Sequence, residues 1–92
     1  MEKITKHLSI SGRVQGVGFR AFTLRNAKEL DITGWVRNTY DGEVEAIICG
    51  TAASVGKMIK RLKEGPRWAS VDQVIVISDQ VNEDFNSFRI RS

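Results

Sequence analysis

The chain predicts an α+β sandwich: an antiparallel sheet connected βαββαβ, with two helices on one face. Three observations predict it. Stretches of two-residue apolar alternation bracket two stretches of helical spacing. An Asp-Gly pair divides the two middle strands. The 92 residues suffice for one domain with a single core, which leaves no room for a large cofactor-binding architecture with a separate substrate domain.

Each element has its own signature. Ile4, Leu8 and Ile10 alternate with Thr5, His7 and Ser9, interrupted on the apolar side by Lys6, so the first strand is expected here and Ser11-Gly12 marks its exit. Phe19 to Leu30 contains no Gly or Pro. It sets Ala21, Leu24, Ala27 and Leu30 at helical spacing, an amphipathic helix that Asp31 to Gly34 ends. Gly34 to Thr39 is the next strand and Tyr40-Asp41-Gly42 its hairpin turn, because Asp-Gly tolerates left-handed backbone. Glu43 to Gly50 returns, with Val44, Ala46 and Ile48 on one face and Glu43 and Glu45 solvated on the other. A second helix spans about Ala52 to Glu64, with Val55, Ile59 and Leu62 on one side, until Gly65-Pro66 stops it. Val71 to Ser78 is rich in β-branched residues, as a buried strand is, and Phe85 to Ile90 is a candidate for a short final strand. This order is that of the ferredoxin-like sandwich. The fold serves many functions, so function has to come from a site.

Composition narrows the class. With 41% hydrophobic and 27% charged residues and one proline, the chain has the make-up of a globular protein rather than a disordered one. A formal net charge of +3 favours anionic partners without naming one. Arg13, Arg20, Arg25, Lys28 and Arg37 surround a glycine-rich loop, whereas Lys57, Lys60, Arg61, Lys63 and Arg67 are expected to form a solvated helix face and turn. Cys49 is the only cysteine. It permits no intrachain disulfide or cysteine-rich metal site, and is expected to be a small buried hydrophobe in a reducing compartment. Residues 1–6 carry no apolar signal segment, and no stretch approaches a membrane span. The expectation is a single cytoplasmic domain over residues 1–92, monomeric, without membrane or nucleic-acid partner. Trp35 and Trp68 are expected to pack at the border of the core, and Phe22 is a candidate for a pocket rim.

Three of the eight glycines, Gly12, Gly16 and Gly18, fall within seven residues. They belong to Gly12-Arg-Val-Gln-Gly-Val-Gly-Phe-Arg20, between the first strand and the first helix. A helix N-terminus presents unpaired N–H groups and partial positive charge, and a glycine loop lets successive N–H groups converge on one oxyanion. Arg20 at the helix start can add a bidentate guanidinium, so the segment has the parts of a phosphate cradle. The same glycines also suit a plain strand-to-helix turn, and spacing alone does not choose between these. Walker A is absent, since no Lys-Ser/Thr follows, and the match of Gly16, Gly18 and Ala21 to the dinucleotide fingerprint lacks the parallel sheet which that fingerprint requires. Asn38 supplies a second element. It continues the face of Val36 towards the hairpin, where it can cap the turn or, beside a cradle, hold a water in line with phosphorus.

With these residues assembled, the sequence closely resembles the acylphosphatase family over nearly its whole length. The resemblance is carried by residues 12–20 together with Gly34-Trp-Val-Arg-Asn38 and Asp41-Gly42. Gly65-Pro66 with Ala69 and Val71, and Phe88-Arg-Ile-Arg91, also match. It implies hydrolysis of an acyl phosphate to a carboxylate and inorganic phosphate with no metal or cofactor, Arg20 binding phosphate and Asn38 orienting the water. The N–H groups of Gln15, Gly16, Val17, Gly18, Phe19 and Arg20 are expected to bind the phosphoryl group. A phosphoryl oxygen is the expected proton acceptor, because His7, the only histidine, has the place of an ordinary strand residue. Asp31-Ile32 departs from the Gly-Leu of many members and puts the cap of the first helix in question. Two other readings stand beside this one. The first is a phosphoryl- or carbamoyl-phosphate-binding module without turnover. The second is a ferredoxin-like RNA-binding domain, disfavoured because the third strand, Glu-Val-Glu-Ala-Ile-Ile-Cys, is acidic and has no aromatic residue.

Overall fold

Alternating apolar residues and two Gly/Pro-bounded helices give seven elements in the computed structural model, which describes residues 2–92. They are β1 (Lys3–Arg13), α1 (Phe19–Glu29), β2 (Thr33–Asn38), β3 (Val44–Thr51), α2 (Ala52–Glu64), β4 (Ser70–Ser78) and β5 (Phe88–Arg91). The sheet order is β4-β1-β3-β2-β5. The βαββαβ core of the expectation is present, with β5 added at the far edge. Three of the four strand pairs are antiparallel, but β5 runs parallel to β2, so the sheet is mixed. Residues 79–87 carry the chain from one edge to the other, and Gly34 N–H to the Ser87 carbonyl (2.9 Å) starts the parallel pair.

One sheet face and both helices form the core. Leu8, Ile10, Val36, Val44, Ala46 and Ile48 meet Phe19 and Ala27 of α1 and Val55, Met58 and Leu62 of α2. The register of α1 differs from the expected one. Its buried residues are Phe19, Thr23, Asn26 and Ala27, while Ala21 is exposed. Two polar residues can occupy the buried face because each bonds the preceding turn: Thr23 Oγ1 donates to the Phe19 carbonyl and Asn26 Nδ2 to that of Phe22, both at 2.8 Å. Phe22 packs half-buried on Phe19 and does not line the cavity at the start of α1. Arg61 is also not simply solvated, since it donates from α2 to Asn26 Oδ1 (2.8 Å) and Glu29 Oε1 (3.1 Å) of α1.

Burial departs from expectation in other places. β4 is an edge strand, with Ile75 half exposed (50%) and Ile77 similarly so (53%). Its β-branched composition specifies extended backbone and says little about burial. Trp68 is 71% exposed beneath the Arg67 guanidinium, and Cys49 is only partly buried. β1 runs through Gly12 rather than ending there, with a bulge between Ser11 and Gly12 against β4. A Cβ on Gly12 would lie 2.2 Å from the Ser70 carbonyl oxygen, so this glycine permits the close approach of β4.

The sheet face away from the helices holds a polar cluster. His7 Nε2 donates to Glu45 Oε2 (2.5 Å), Arg37 Nη2 pairs with Glu45 Oε1 (2.6 Å), and Arg91 lies over the Trp35 ring (4.6 Å). Ser9 donates to Glu43 Oε1 (2.9 Å). Glu45 is thus a partly buried acceptor and not a solvated charge. Burial alone raises its pKa, but hydrogen bonds from His7 and Arg37 and their charges outweigh that and hold the carboxyl below its ordinary value.

The C-terminus of α1 explains the Asp31 departure. Asp31 adopts the left-handed conformation (φ 55°), and Ile32 N–H reaches back to the Ala27 carbonyl (2.8 Å), the six-to-one bond of a Schellman motif. A glycine would take this conformation without the Cβ penalty, which Asp tolerates only in part. Asp31→Gly is therefore expected to stabilise the fold by up to about 1 kcal/mol, read as a rise of about 4–8 °C in Tm per kcal/mol at this chain size. A fall in Tm would contradict this account of the cap.

Candidate anion-binding site

The loop between β1 and α1 is anchored by its valines and turned outward by its glycines. Val14 is buried in the core and Val17 packs against it, leaving Gly16 and Gly18 exposed at φ 74° and 79°. Neither glycine has a neighbour within 4 Å of a Cβ position, so backbone conformation rather than space demands them. Gly18 is the N-cap of α1 and makes no side-chain cap, and the first turn holds no acidic residue. The contrast with α2 is direct, because there Thr51 Oγ1 accepts from Ser54 N–H (3.1 Å). The first N–H groups of α1 are left for an external acceptor, at the positive end of the helix dipole.

Arg20 follows in the first turn of α1 and is half-buried. Among the described residues the ion pairs are His7–Glu45, Arg37–Glu45 and Arg61–Glu29, so its guanidinium has no carboxylate partner. Opposite it, Asn38 is the last residue of β2 and points to the same side as buried Val36. Its Oδ1 is buried and accepts no hydrogen bond. An unpaired buried acceptor costs about 1–3 kcal/mol, so this oxygen calls for a donor from whatever enters the site.

These groups line one cavity of about 250 Å³. Val14, Gly16, Gly18, Phe19, Arg20 and Ala21 form one side, and Asn38 and Ile90 the other. The sequence-predicted Gly16, Gly18, Phe19, Arg20 and Asn38 therefore come together across the β1–α1 and β2–β3 connections. Gln15 and Val17 belong to the same loop but not to the cavity wall: Val17 packs inward, and the Gln15 side chain turns to the hairpin. Val14, Ala21 and Ile90 escaped the sequence reading of the site. Val14 and Ile90 carried a signal, as parts of the matching 12–20 and Phe88–Arg91 segments.

The cavity is recognised by its donors rather than its size. A larger groove of about 470 Å³, lined by Lys63 and residues 71–75, has no loop backbone converging on it. Arg20 is the only titratable side chain in the smaller cavity, which holds no carboxylate, imidazole or thiol. Among the described residues no three His, Cys, Asp or Glu side chains gather as metal ligands, and no helix is long and apolar enough to cross a membrane.

Comparison with known proteins gives the family. Residues 6–90 match the family model described as Acylphosphatase. The chain belongs to the acylphosphatase family. An acylphosphatase of Moorella thermoacetica is 44% identical over 92 residues, covering 100% of this chain and 98% of the relative. Among solved structures, an acylphosphatase from Coxiella burnetii superposes with a TM-score of 0.91 at 40% identity, over 97% of this chain and 93% of the other. An acylphosphatase from Bacillus subtilis gives 0.92 at 30% identity, over 97% and 99%.

Family membership and an unpaired arginine lead to one expectation about stability. Holding a half-buried cation without a partner favours binding over folding. Arg20→Ala should therefore weaken binding of inorganic phosphate by about tenfold or more, the loss of a charge-assisted hydrogen bond, while leaving Tm unchanged or raised. Titration calorimetry and thermal denaturation of the same samples measure both. Undiminished phosphate affinity would remove Arg20 from the site.

Proposed function

We propose that the protein hydrolyses acyl phosphates, R–CO–OPO₃²⁻ + H₂O → R–COO⁻ + H₂PO₄⁻, in the cavity between Arg20 and Asn38. The observation that carries the proposal is the pairing of an uncompensated guanidinium with a buried, unpaired carboxamide oxygen across one small cavity. The cation and the loop N–H groups suit phosphoryl oxygens, and the carboxamide oxygen suits a water O–H.

The chemistry asks little more. A carboxylate is a good leaving group, so no strong general acid is required, and the work is electrostatic and positional. The N–H groups of residues 15–20 and the Arg20 guanidinium hold the phosphoryl oxygens and take up charge that moves onto them. Asn38 Oδ1 accepts a hydrogen bond from the water and aims its oxygen at phosphorus. As the new P–O bond forms, the bond from phosphorus to the acyl oxygen breaks. The electron pair leaves with the carboxylate, and the water's proton passes to a phosphoryl oxygen. The absence of a titratable carboxylate or imidazole from the cavity wall supports the substrate as its own base. His7 is held by Glu45 on the opposite face of the sheet and takes no part. The small molecule bound is an acyl phosphate or its product phosphate. We assign the protein to the cytoplasm as a monomer; its single cysteine suits a reducing compartment.

Benzoyl phosphate hydrolysis in EDTA tests the reading. Wild-type protein should turn over without added metal. Asn38→Ala should lower kcat by roughly 100-fold, as loss of an aligned nucleophile does, with inorganic phosphate inhibiting both proteins to the same degree. A strict metal requirement, or an Asn38→Ala variant with full kcat, would refute the mechanism. Phosphate binding without any turnover would leave the non-catalytic binding module as the better reading.

A further inference from the structure

The Gln15 side chain is committed to a task away from the cavity its own loop lines. Its Nε2 donates to the Thr39 carbonyl (2.9 Å) and to the Glu43 carbonyl (2.7 Å), across 24 and 28 residues of chain. Both partners are carbonyl oxygens, which can only accept, so the amide nitrogen faces them and both its hydrogens are used. The two carbonyls are those that close the β2–β3 hairpin. Thr39 N–H also bonds the Glu43 carbonyl (2.8 Å), Glu43 N–H bonds Thr39 Oγ1 (3.0 Å), and Thr39 Oγ1 bonds Asp41 Oδ1.

The position of this link in the sheet gives it a purpose. The β1–β3 ladder ends at Ile10 opposite Val44, and the β2–β3 ladder ends at Asn38 opposite the same Val44. Beyond Val44 no strand pairing ties the end of β2 to the loop that follows β1. Among the described residues, the two bonds of Gln15 are the hydrogen bonds that join loop 14–18 to the hairpin. One of them lands on Thr39, the residue next to Asn38. One side-chain amide thus links the loop that carries the anion cradle to the segment that carries the Asn38 carboxamide.

We infer that Gln15 is a positioning residue, whose carboxamide sets the separation and angle between the phosphate-binding loop and Asn38 and so aligns the attacking water. The inference rests on the reading of Asn38 as the water-orienting group. It differs from a role for Gln15 in holding phosphate: its backbone N–H can serve the anion, but its side chain acts on the reaction only through Asn38. The loop is anchored independently by buried Val14 and by Val17, so the cradle survives when the tether is cut.

A double-mutant cycle on benzoyl phosphate hydrolysis tests it, using Gln15→Leu, Gln15→Met, Asn38→Ala and the two double variants, with Tm recorded for each. Leu and Met both delete the two donors, and the unbranched Met keeps the cycle available if Leu is not accommodated. Either single substitution at Gln15 should lower kcat by about 10- to 100-fold, the size of effect expected from an attacking group displaced by about an ångström. KM and the inhibition constant for inorganic phosphate should stay within about threefold, because the cradle is intact. In the Asn38→Ala background the same substitutions should change kcat by less than about twofold, since residues acting as a unit are non-additive. An equal loss of kcat with and without Asn38 would overturn the inference, as would a loss confined to KM and phosphate affinity or an unchanged kcat in the single variants. Failure of the underlying reading is seen separately, because Asn38→Ala alone would then retain its kcat.

Discussion

Everything in the site depends on leaving the N-terminus of α1 unsatisfied. A helix start without a capping side chain, with no acidic residue in its first turn and a glycine in left-handed backbone as its N-cap, forgoes stabilisation that α2 of the same chain obtains from Thr51. Arg20 adds an unpaired cation to those unpaired donors. Such a concentration of positive potential is unfavourable to hold in an empty fold and favourable once a dianion occupies it. Buried Val14 and Phe19 flank the loop and hold it rigid enough for the donors to stay aimed in one direction.

The sheet supplies the other half. Its order puts β3 between β1 and β2, so the β1–α1 loop and the β2–β3 hairpin emerge at the same end, one strand apart. The proposed phosphoryl-holding loop and water-orienting Asn38 thus sit on separate connections, each rooted in the ladder that β3 shares with both neighbours. Gln15 spans the gap that the ladders leave. β5 closes the cavity with Ile90, which explains why the parallel edge strand belongs to the functional part of the fold. The opposite face, with its His7–Glu45–Arg37 cluster, holds ionisable groups away from the cavity between Arg20 and Asn38.

Much of this was legible in the sequence, and the parts that were not have physical causes. Glycine spacing, Arg20 and Asn38 stood out because backbone freedom, charge and a carboxamide are recorded by composition and order, and the fold brings these residues to one cavity. The helix register was missed because Thr23 and Asn26 satisfy themselves on the preceding turn, so polar residues occupy a buried face and blur the periodicity. Burial of β4 was overestimated because β-branched residues specify strand and the sheet edge is decided by topology. Gly12 passed for a strand exit because close approach of β4 and a chain break both favour glycine. The Gln15 tether was invisible in principle, since it joins residues 24 and 28 positions apart.

The central claim is that one phosphoryl group is held by the loop backbone and Arg20 within reach of the Asn38 carboxamide. A titration of ¹⁵N-labelled protein with inorganic phosphate, followed by amide and side-chain NMR shifts, tests it most directly. The account predicts the largest shifts at the amides of Gly16, Gly18, Phe19 and Arg20, with the Arg20 guanidinium and Asn38 side-chain signals moving at the same phosphate concentration. Shifts centred on the groove between Lys63 and residues 71–75, or spread evenly over the basic surface with this loop unmoved, would contradict it.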